Sequence, residues 1–209
     1  MIKKIIYDIK NKSSYSVDFI LKEDISSCLS CAGIYIRKIF APILRLGYRT
    51  QTEYNIKIIH REKLFHSKKG RIFAFNHRQG DDIVIGANVV NKSAYFVFGN
   101  KYLALDTTNG WGLWAYGIIL LDRNNKNSRN STYNKMKYVL EHGGNIIIYP
   151  EGYWNLDDNG EADECHGADS HNSENWLIQD FNIGIFRLAQ EIGCEIVPTV
   201  LHYDEHRKN

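Results

Sequence analysis

The sequence predicts an α/β protein, with a mainly parallel sheet flanked by helices and preceded by an amphipathic helical segment. After residue 55, short apolar runs rich in β-branched residues alternate with longer stretches of helical period, a pattern typical of the βα units that build parallel sheets. The 209 residues are 44% hydrophobic and 24% charged, which suits a folded domain with a sizeable core. We therefore expect one α/β domain over residues 56–209, after a leader and helix in residues 1–55.

The predicted elements follow one another in a regular order. The run Asn145–Tyr149 is rich in isoleucine, which is typical of a strand that is buried on both faces. Gly143–Gly144 and Gly193 follow helical stretches, at the position where a left-handed cap residue ends a helix. Strands are predicted over residues 71–75, 93–98, 116–121, 145–149 and 195–201, and helices over residues 82–90, 101–106, 128–142 and 183–192.

The N-terminal helical segment, from Ile25 to about residue 48, has one apolar and one basic side. Pro42 is expected to kink or split it, because proline lacks the N–H that an interior position needs. The pattern fits either an interfacial membrane helix or a helix packed on the domain. The apolar side carries Ile25, Leu29, Ala32, Ile36, Ile39, Phe40 and Ile43, and the basic side carries Arg37, Lys38, Arg45 and Arg49.

Several classes of protein are disfavoured by what the sequence lacks. The net charge is +2 and no dense Lys/Arg run occurs, so a nucleic-acid partner is not expected. No apolar run reaches the length of a membrane span, and the N-terminus lacks the features of a secretory signal. The four cysteines form neither a disulfide framework nor a zinc-site spacing. We therefore expect a cytoplasmic protein without a bound metal.

One polar segment interrupts the alternation of strands and helices. Residues 153–181 carry eight acidic side chains and neither Lys nor Arg, which favours a lid or a mobile insertion. Cys165, His166 and His171 lie inside this segment, but no ligand pair among them has structural-zinc spacing. A solvated acidic loop is the preferred interpretation.

A polar cluster that follows the first predicted strand carries the clearest chemistry. His77 leaves the strand and Asp82 begins the next helix, so a tight turn can return the carboxylate to the imidazole. A carboxylate bonded to one ring nitrogen holds the tautomer in which the other nitrogen acts as a base. Such a pair can draw the proton from an acceptor hydroxyl that attacks a carbonyl directly. The alternative is a helix-capping Asp82 beside a surface histidine.

Two further polar clusters follow later strands, and parallel strands would bring all three to one edge of the sheet. Asp122-Arg123 ends the third strand, where Arg123 can bind an anion such as a phosphate or form an ordinary surface ion pair. In the other cluster, Pro150 ends the strand, Gly152 permits a close backbone approach and Glu151 is expected to point into the cleft. The alternative for this cluster is a plain turn.

In this order, the clusters resemble the motifs of the lysophosphatidic acid acyltransferases, also called the glycerophospholipid acyltransferases. The resemblance covers roughly residues 70–205, and four motifs in order are a far more specific pattern than each motif alone. The family motif N-H-x-x-x-x-D is matched by Asn76, His77 and Asp82, and G-x-x-F-I-D-R by Gly117, Asp122 and Arg123. The motif F-P-E-G-T-R is matched by Pro150, Glu151 and Gly152, and I-V-P-V by Ile196-Val197-Pro198-Thr199.

The resemblance implies an O-acyltransferase of phospholipid biosynthesis. It implies that His77 is the general base, paired with Asp82, and that acyl-CoA or acyl-carrier protein donates a fatty acyl group to a hydroxyl of a lipid or similar acceptor. It implies no bound cofactor, and an N-terminal helix that rests on the cytoplasmic face of the membrane. The residues that it assigns to substrate binding are Asn76, Gly117, Arg123, Glu151 and Gly152.

The sequence departs from the family motifs in ways that bear on the acceptor. Leu120 stands where Phe is usual, Tyr153 replaces the Thr of the third motif, and Trp154 replaces its Arg. Loss of that Arg removes a charge-assisted contact worth about 1.5–3 kcal/mol, so an acceptor without a phosphate is also expected. The chain stops soon after Val200, which predicts a truncated product. A thioester hydrolase and an inactive lipid-binding relative are the two other hypotheses.

Overall fold

The computed structural model describes residues 31–49, 56–59, 68–77, 82–90, 92–99, 116–152 and 181–202. Its strands are β1 (Ile72–Phe75), β2 (Ala94–Phe98), β3 (Ile118–Leu120), β4 (Asn145–Ile148) and β5 (Ile196–Thr199). They form one five-stranded sheet in the order β3-β2-β4-β1-β5. Every neighbouring pair is parallel, so the predicted α/β class with a mainly parallel sheet is confirmed.

Helices flank this sheet where the sequence period predicts them. The prediction for residues 82–90 has the observed bounds, and the others differ by one or two residues. The described helices are α1 (Cys31–Arg49), α2 (Asp82–Val90), α3 (Lys126–Glu141) and α4 (Gly184–Ile192). The predicted helix 101–106 and residues 25–30 lie outside the described residues. The domain boundary at residues 55 and 56 stays a prediction.

The core lies on both faces of the sheet, because successive side chains of a strand point to opposite sides. Ile72 and Ile146 pack on one face with α3 and α4, through residues such as Leu140 and Leu188. The other face of the same strands packs against α2, and its buried members include Phe73, Phe75, Ile85, Val90, Phe96 and Ile147. The sheet is therefore the middle layer between helices.

Local sequence accounts for the ends of two helices. The side chain of Asn125 accepts hydrogen bonds from the backbone N–H groups of Asn127 and Ser128, at 2.9 and 3.2 Å, and so caps the N-terminus of α3. Gly193 ends α4 in the left-handed conformation, with φ of 67°, which costs glycine little because it has no Cβ. Its N–H bonds the carbonyl oxygen of Ala189.

Helix α1 differs from its prediction in two respects. The sequence predicts a kink or a split at Pro42. The helix is continuous through Pro42, so the split is wrong, and the kink stays a prediction. Pro42 is exposed, and solvent can bond the carbonyl of Lys38 that proline leaves without a helical donor. Second, Arg37 of the basic side packs inward, with Nη1 3.3 Å from the Tyr95 hydroxyl. Side chains at least half exposed on α1 include Tyr35, Ile39, Phe40, Ile43 and Leu46.

The apolar side of α1 therefore faces away from the domain. Ile34 and Ala41, on the opposite side of the helix, are buried, and α1 packs against α2. None of the helices in the described part of the chain is long and apolar enough to cross a membrane.

Candidate active site

The imidazole of His77 and the carboxylate of Asp82 are in direct contact at the carboxyl edge of the sheet. His77 follows β1 and Asp82 is the first residue of α2, with 2.8 Å between Nδ1 and Oδ2. The Asp82 side chain is 0% exposed and that of His77 is 15% exposed. A buried carboxylate at Nδ1 holds the proton on that nitrogen and leaves Nε2 as the basic one. The predicted pair is thus brought together, and its contact is more than a helix cap.

A buried tyrosine lies against this pair. The Tyr149 ring is stacked on the His77 imidazole, with centroids 4.3 Å apart and planes at 28°. Its hydroxyl donates a buried hydrogen bond of 2.6 Å to the backbone carbonyl oxygen of Asp82. Tyr149 directly follows β4, the sheet neighbour of β1. The sheet order therefore sets the ring beside the histidine.

Glu151 contacts His77 through the backbone. Its Oε1 accepts a hydrogen bond of 2.9 Å from the His77 N–H, and the residue is only 4% exposed. This bond fixes the backbone of His77 at the point where the chain leaves β1. The predicted role of Glu151 in substrate binding stays a prediction beside this observed one.

The amide of Asn76 ties β1 to the chain that follows β5. Nδ2 donates to the carbonyl oxygen of Leu201 at 3.0 Å, and Oδ1 accepts from the Leu201 N–H at 2.6 Å. Asn76 is 2% exposed. These bonds join the residue after β1 to the second residue after β5, directly before the histidine. The structure thus assigns Asn76 a structural role, and substrate contact by this residue stays a prediction.

The guanidinium of Arg123 lies over the ends of β2 and β4. Its Nη2 donates to the carbonyl oxygen of Gly152. A Cβ added to Gly152 would lie 2.9 Å from this nitrogen, and one added to Gly99 would lie 3.2 Å away. Gly152 also has a φ of 88°, which favours glycine. Two glycines therefore leave the space in which a half-buried arginine reaches the edge that carries His77.

Gly117 is placed apart from these residues. It precedes β3, at the amino end of that strand, and is buried. Its φ is 122°, and a Cβ there would lie 2.9 Å from the Tyr95 ring. Close packing explains why glycine stands at this position. The structure thus brings together His77 and Asp82 with Glu151 and, through Gly152, with Arg123, but not with Gly117.

Comparison with known proteins gives the chain its family. A family model described as Acyltransferase matches residues 55–202, which is more than half of the chain. The chain belongs to the acyltransferase family. It is 25% identical over 154 residues to a 1-acyl-sn-glycerol-3-phosphate acyltransferase from Chlamydomonas reinhardtii. That alignment covers 71% of this chain and 39% of the relative. No solved structure matches the chain at a comparable level.

Two residues of this acyltransferase-family site were missed by sequence reasoning. Tyr149 stands where the third motif has Phe, and this difference is the feature that could have pointed to its hydroxyl. Asn182 lies where the chain returns from the acidic segment, and its Nδ2 and N–H both bond the carbonyl oxygen of Pro150, at 2.8 and 2.9 Å. An isolated asparagine after an acidic stretch of sequence has no pattern that predicts this contact.

The described residues include some of the His, Cys, Asp and Glu side chains that could ligate a metal, and the others lie in residues that the structure does not describe. Among residues 31–49, 56–59, 68–77, 82–90, 92–99, 116–152 and 181–202, no three His, Cys, Asp or Glu side chains are grouped to hold a metal ion. Cys165, His166, His171 and the substituted motif residues Tyr153 and Trp154 lie outside the described residues. The interpretation of residues 153–180 as an acidic loop therefore stays a prediction.

Proposed function

We propose that the protein transfers a fatty acyl group from acyl-CoA or acyl-carrier protein to a hydroxyl of a lysophospholipid-like or other lipid acceptor. The observation that carries this proposal is the buried contact of 2.8 Å between His77 Nδ1 and Asp82 Oδ2, in a chain of the acyltransferase family. This contact holds the imidazole in the tautomer that a general base requires.

The proposed reaction is a direct transfer. The acceptor hydroxyl gives its proton to Nε2 of His77, and its oxygen forms a bond to the thioester carbonyl carbon. Asp82 stabilises the imidazolium at that moment, and it can do so strongly because its carboxylate is excluded from solvent. The C–S bond then breaks, and the leaving thiolate takes the proton from Nε2. The products are the ester and the free thiol, and the pair returns to its starting state.

Arg123 is the proposed contact for the polar part of the acceptor. Its guanidinium is half-buried and held by the Gly152 carbonyl oxygen, so little conformational freedom is lost when an anion binds. A single remaining arginine fits one phosphate or carboxylate less tightly than two would. Since Trp154 replaces the arginine of the third motif, we propose that the acceptor can be a lipid with or without a phosphate, and the test includes both kinds.

The test is thiol release from palmitoyl-CoA and from palmitoyl-acyl-carrier protein by the purified protein. Each donor is offered with lysophospholipid, glycolipid and amino-acid acceptors, and His77→Ala is the control. Release that requires one acceptor class and disappears in His77→Ala supports the transferase and identifies its acceptor. Release at the same rate without acceptor would instead support a thioester hydrolase. A folded protein inactive with both donors would support a lipid-binding relative without activity.

We further propose that α1 rests on the cytoplasmic face of the membrane. Its exposed apolar side chains Ile39, Ile43 and Leu46 recur at helical spacing, and its opposite side is buried against the domain. Such a helix can insert its apolar side at the headgroup boundary while its cations meet anionic lipid.

The membrane proposal is tested by flotation with vesicles of phosphatidylcholine and phosphatidylglycerol. Ile43→Glu removes a side chain that is 63% exposed on α1, and Ile183→Glu makes the same change at a residue before α4 that is 61% exposed. We expect Ile43→Glu to weaken vesicle binding by roughly tenfold or more, since burial of one isoleucine is worth about 1.5–3 kcal/mol. Equal binding by both variants would contradict the proposal.

A further inference from the structure

Tyr149 contacts both members of the His77–Asp82 pair without reaching the atoms that react. Its ring covers one face of the imidazole, with centroids 4.3 Å apart. Its hydroxyl bonds the backbone carbonyl oxygen of Asp82 at 2.6 Å. Tyr149 is 9% exposed, so both contacts are shielded from water. One side chain thus contacts both the histidine ring and the helix turn that carries the carboxylate.

Helix α2 has a space that fits this hydroxyl. Asp82 and Gly86 are one turn apart in α2, so the carbonyl oxygen of residue 82 lies beside residue 86. A Cβ at Gly86 would lie 2.8 Å from the Tyr149 hydroxyl oxygen, closer than such atoms approach. Glycine inside a helix is less favourable than alanine. Its presence here, buried and facing Tyr149, is explained by the room that the hydroxyl needs.

We propose that Tyr149 is a positioning residue whose hydroxyl, lying over Gly86, aligns the His77–Asp82 pair for acyl transfer. The inference rests on the proposed function, and it adds a residue to that site. The ring limits rotation of the imidazole, and the hydroxyl limits movement of the first turn of α2. Displacement of a reacting group by about 1 Å can cost about 100-fold in rate, so a fixed Nε2 matters more for turnover than for substrate binding.

A matched pair of variants separates positioning from general stability. Tyr149→Phe keeps the ring and removes the hydroxyl. Tyr116→Phe makes the same change at a buried tyrosine whose hydroxyl donates to the Lys92 carbonyl oxygen at 3.2 Å. The rings have similar neighbours, since Tyr116 packs on Phe96 with centroids 5.3 Å apart, and Tyr149 on Phe75 at 5.8 Å.

The two variants are expected to differ in kcat. Tyr149→Phe should lower kcat about tenfold and leave KM for donor and acceptor within about twofold, because the hydroxyl orients the base and does not bind substrate. Tyr116→Phe should leave kcat unchanged, although both variants should lower the thermal midpoint by similar amounts. Unchanged kcat in Tyr149→Phe, beside an active wild type, would overturn the proposal.

A double-mutant cycle tests whether the Tyr149 hydroxyl occupies the space over Gly86. Gly86→Ala alone should lower kcat at least as far as Tyr149→Phe, because the new methyl displaces the hydroxyl. In the Tyr149→Phe background the methyl has room, so Gly86→Ala should change kcat by less than about twofold. Equal losses from Gly86→Ala in both backgrounds would mean that the hydroxyl does not occupy this space, and would overturn the proposal.

A spectroscopic measurement keeps this inference separate from the proposed function. The proton on His77 Nδ1, bonded to Asp82, is expected to give a downfield ¹H NMR line that is identified by its absence in His77→Gln. Tyr149→Phe should move this line, and Tyr116→Phe should not. If the wild type transfers no acyl group, the proposed function fails and the NMR line still decides the inference. An unmoved line in Tyr149→Phe would overturn it.

Discussion

The two edges of the sheet each carry a histidine in nearly the same local arrangement. At the carboxyl edge, His77 stacks on Tyr149 and bonds the Asp82 carboxylate through Nδ1. Towards the amino edge, His142 caps α3, stacks on Tyr138 with centroids 3.9 Å apart, and bonds the Tyr138 carbonyl oxygen through Nδ1 at 2.8 Å. Stacking and an Nδ1 acceptor are therefore common to both.

What separates the two histidines is charge and burial. The acceptor of His77 is a carboxylate with no exposure to solvent, whereas His142 bonds a neutral carbonyl and is exposed. A full charge in a shielded place stabilises an imidazolium far more than a carbonyl dipole beside water does. Ring stacking and an Nδ1 contact are therefore shared by the two histidines, and the buried carboxylate sets His77 apart. The proposed role of His77 as a general base depends on that carboxylate.

The strongest test of this comparison replaces each histidine by glutamine. His77→Gln should lower kcat by roughly 1,000-fold or more, since general acid–base catalysis contributes about 10²–10⁴-fold. His142→Gln should leave kcat unchanged, and both variants should keep the circular dichroism of the folded protein. Comparable activity losses in the two variants would show that the edges do not differ as described.

The second test removes the charge of the carboxylate and keeps its shape. Asp82→Asn should lower kcat by about 100-fold to 1,000-fold, because the neutral amide neither stabilises the imidazolium nor enforces the tautomer. Steady-state kinetics beside thermal unfolding measure the change. A fully active Asp82→Asn protein would mean that burial without charge suffices, and the distinction drawn between His77 and His142 would lose its basis.

A third test compares asparagines that bridge backbone at opposite edges. Asn76 bonds Leu201 at the carboxyl edge. Asn145 accepts from the Arg71 N–H at 3.1 Å and donates to the Ser93 carbonyl oxygen at 2.8 Å, at the amino edge. Either residue changed to alanine should lower the free energy of unfolding by about 1–3 kcal/mol, because backbone groups lose their partners.

Activity should distinguish these two asparagine variants. Asn76→Ala should also lower kcat several-fold, because Asn76 directly precedes His77 and ties it to the end of β5. Asn145→Ala should leave kcat unchanged, since the hydrogen bonds of Asn145 lie at the amino end of β4, away from His77. Denaturant unfolding and kinetics on the same samples check both statements. Equal kcat for the two variants would place the tie to Leu201 outside the active site.

The smallest effect is expected from a charged pair exposed to solvent. Glu191 accepts from the Lys137 ammonium and the Tyr133 hydroxyl, and mainly the Lys137 hydrogen bond lowers the pKa of Glu191 below the ordinary 4.5. A carboxyl group whose pKa is lower in the folded than in the unfolded chain stabilises the protein at pH values above its unfolded-state pKa. This contribution is lost as the pH falls through the folded-state pKa. Glu191→Gln should therefore lower the urea midpoint slightly at pH 7.

Acid should abolish this effect of Glu191→Gln. Below the lowered folded-state pKa of Glu191, the carboxyl group is protonated in both the folded and the unfolded chain of the wild type, so variant and wild type should then have equal urea midpoints. A difference that persists in acid would assign the effect to packing. The Lys137–Glu191 pair would then stabilise the fold by close packing, as a buried contact such as His77–Asp82 does, although it is exposed.

Sequence by itself determined the strands, most helix bounds and the central pair. The apolar run Asn145–Ile148 and the helical period of Asp82–Val90 are local properties of the sequence. They can be read without knowing which distant residues each segment contacts. The spacing of five residues between His77 and Asp82 also closes within one strand-to-helix turn. The pairing was therefore predictable from the order of residues, and the structure has it at 2.8 Å.

Only the tertiary structure decided which distant residues support that pair. Tyr149 and Glu151 reach His77 because β4 lies beside β1, and Leu201 meets Asn76 across a separation of 125 positions because β5 lies on the other side. The outward apolar side of α1 is also a tertiary result, because the same periodicity fits a helix packed on a core. Strand order and choice of face depend on contacts summed over the whole fold, and no local pattern encodes them.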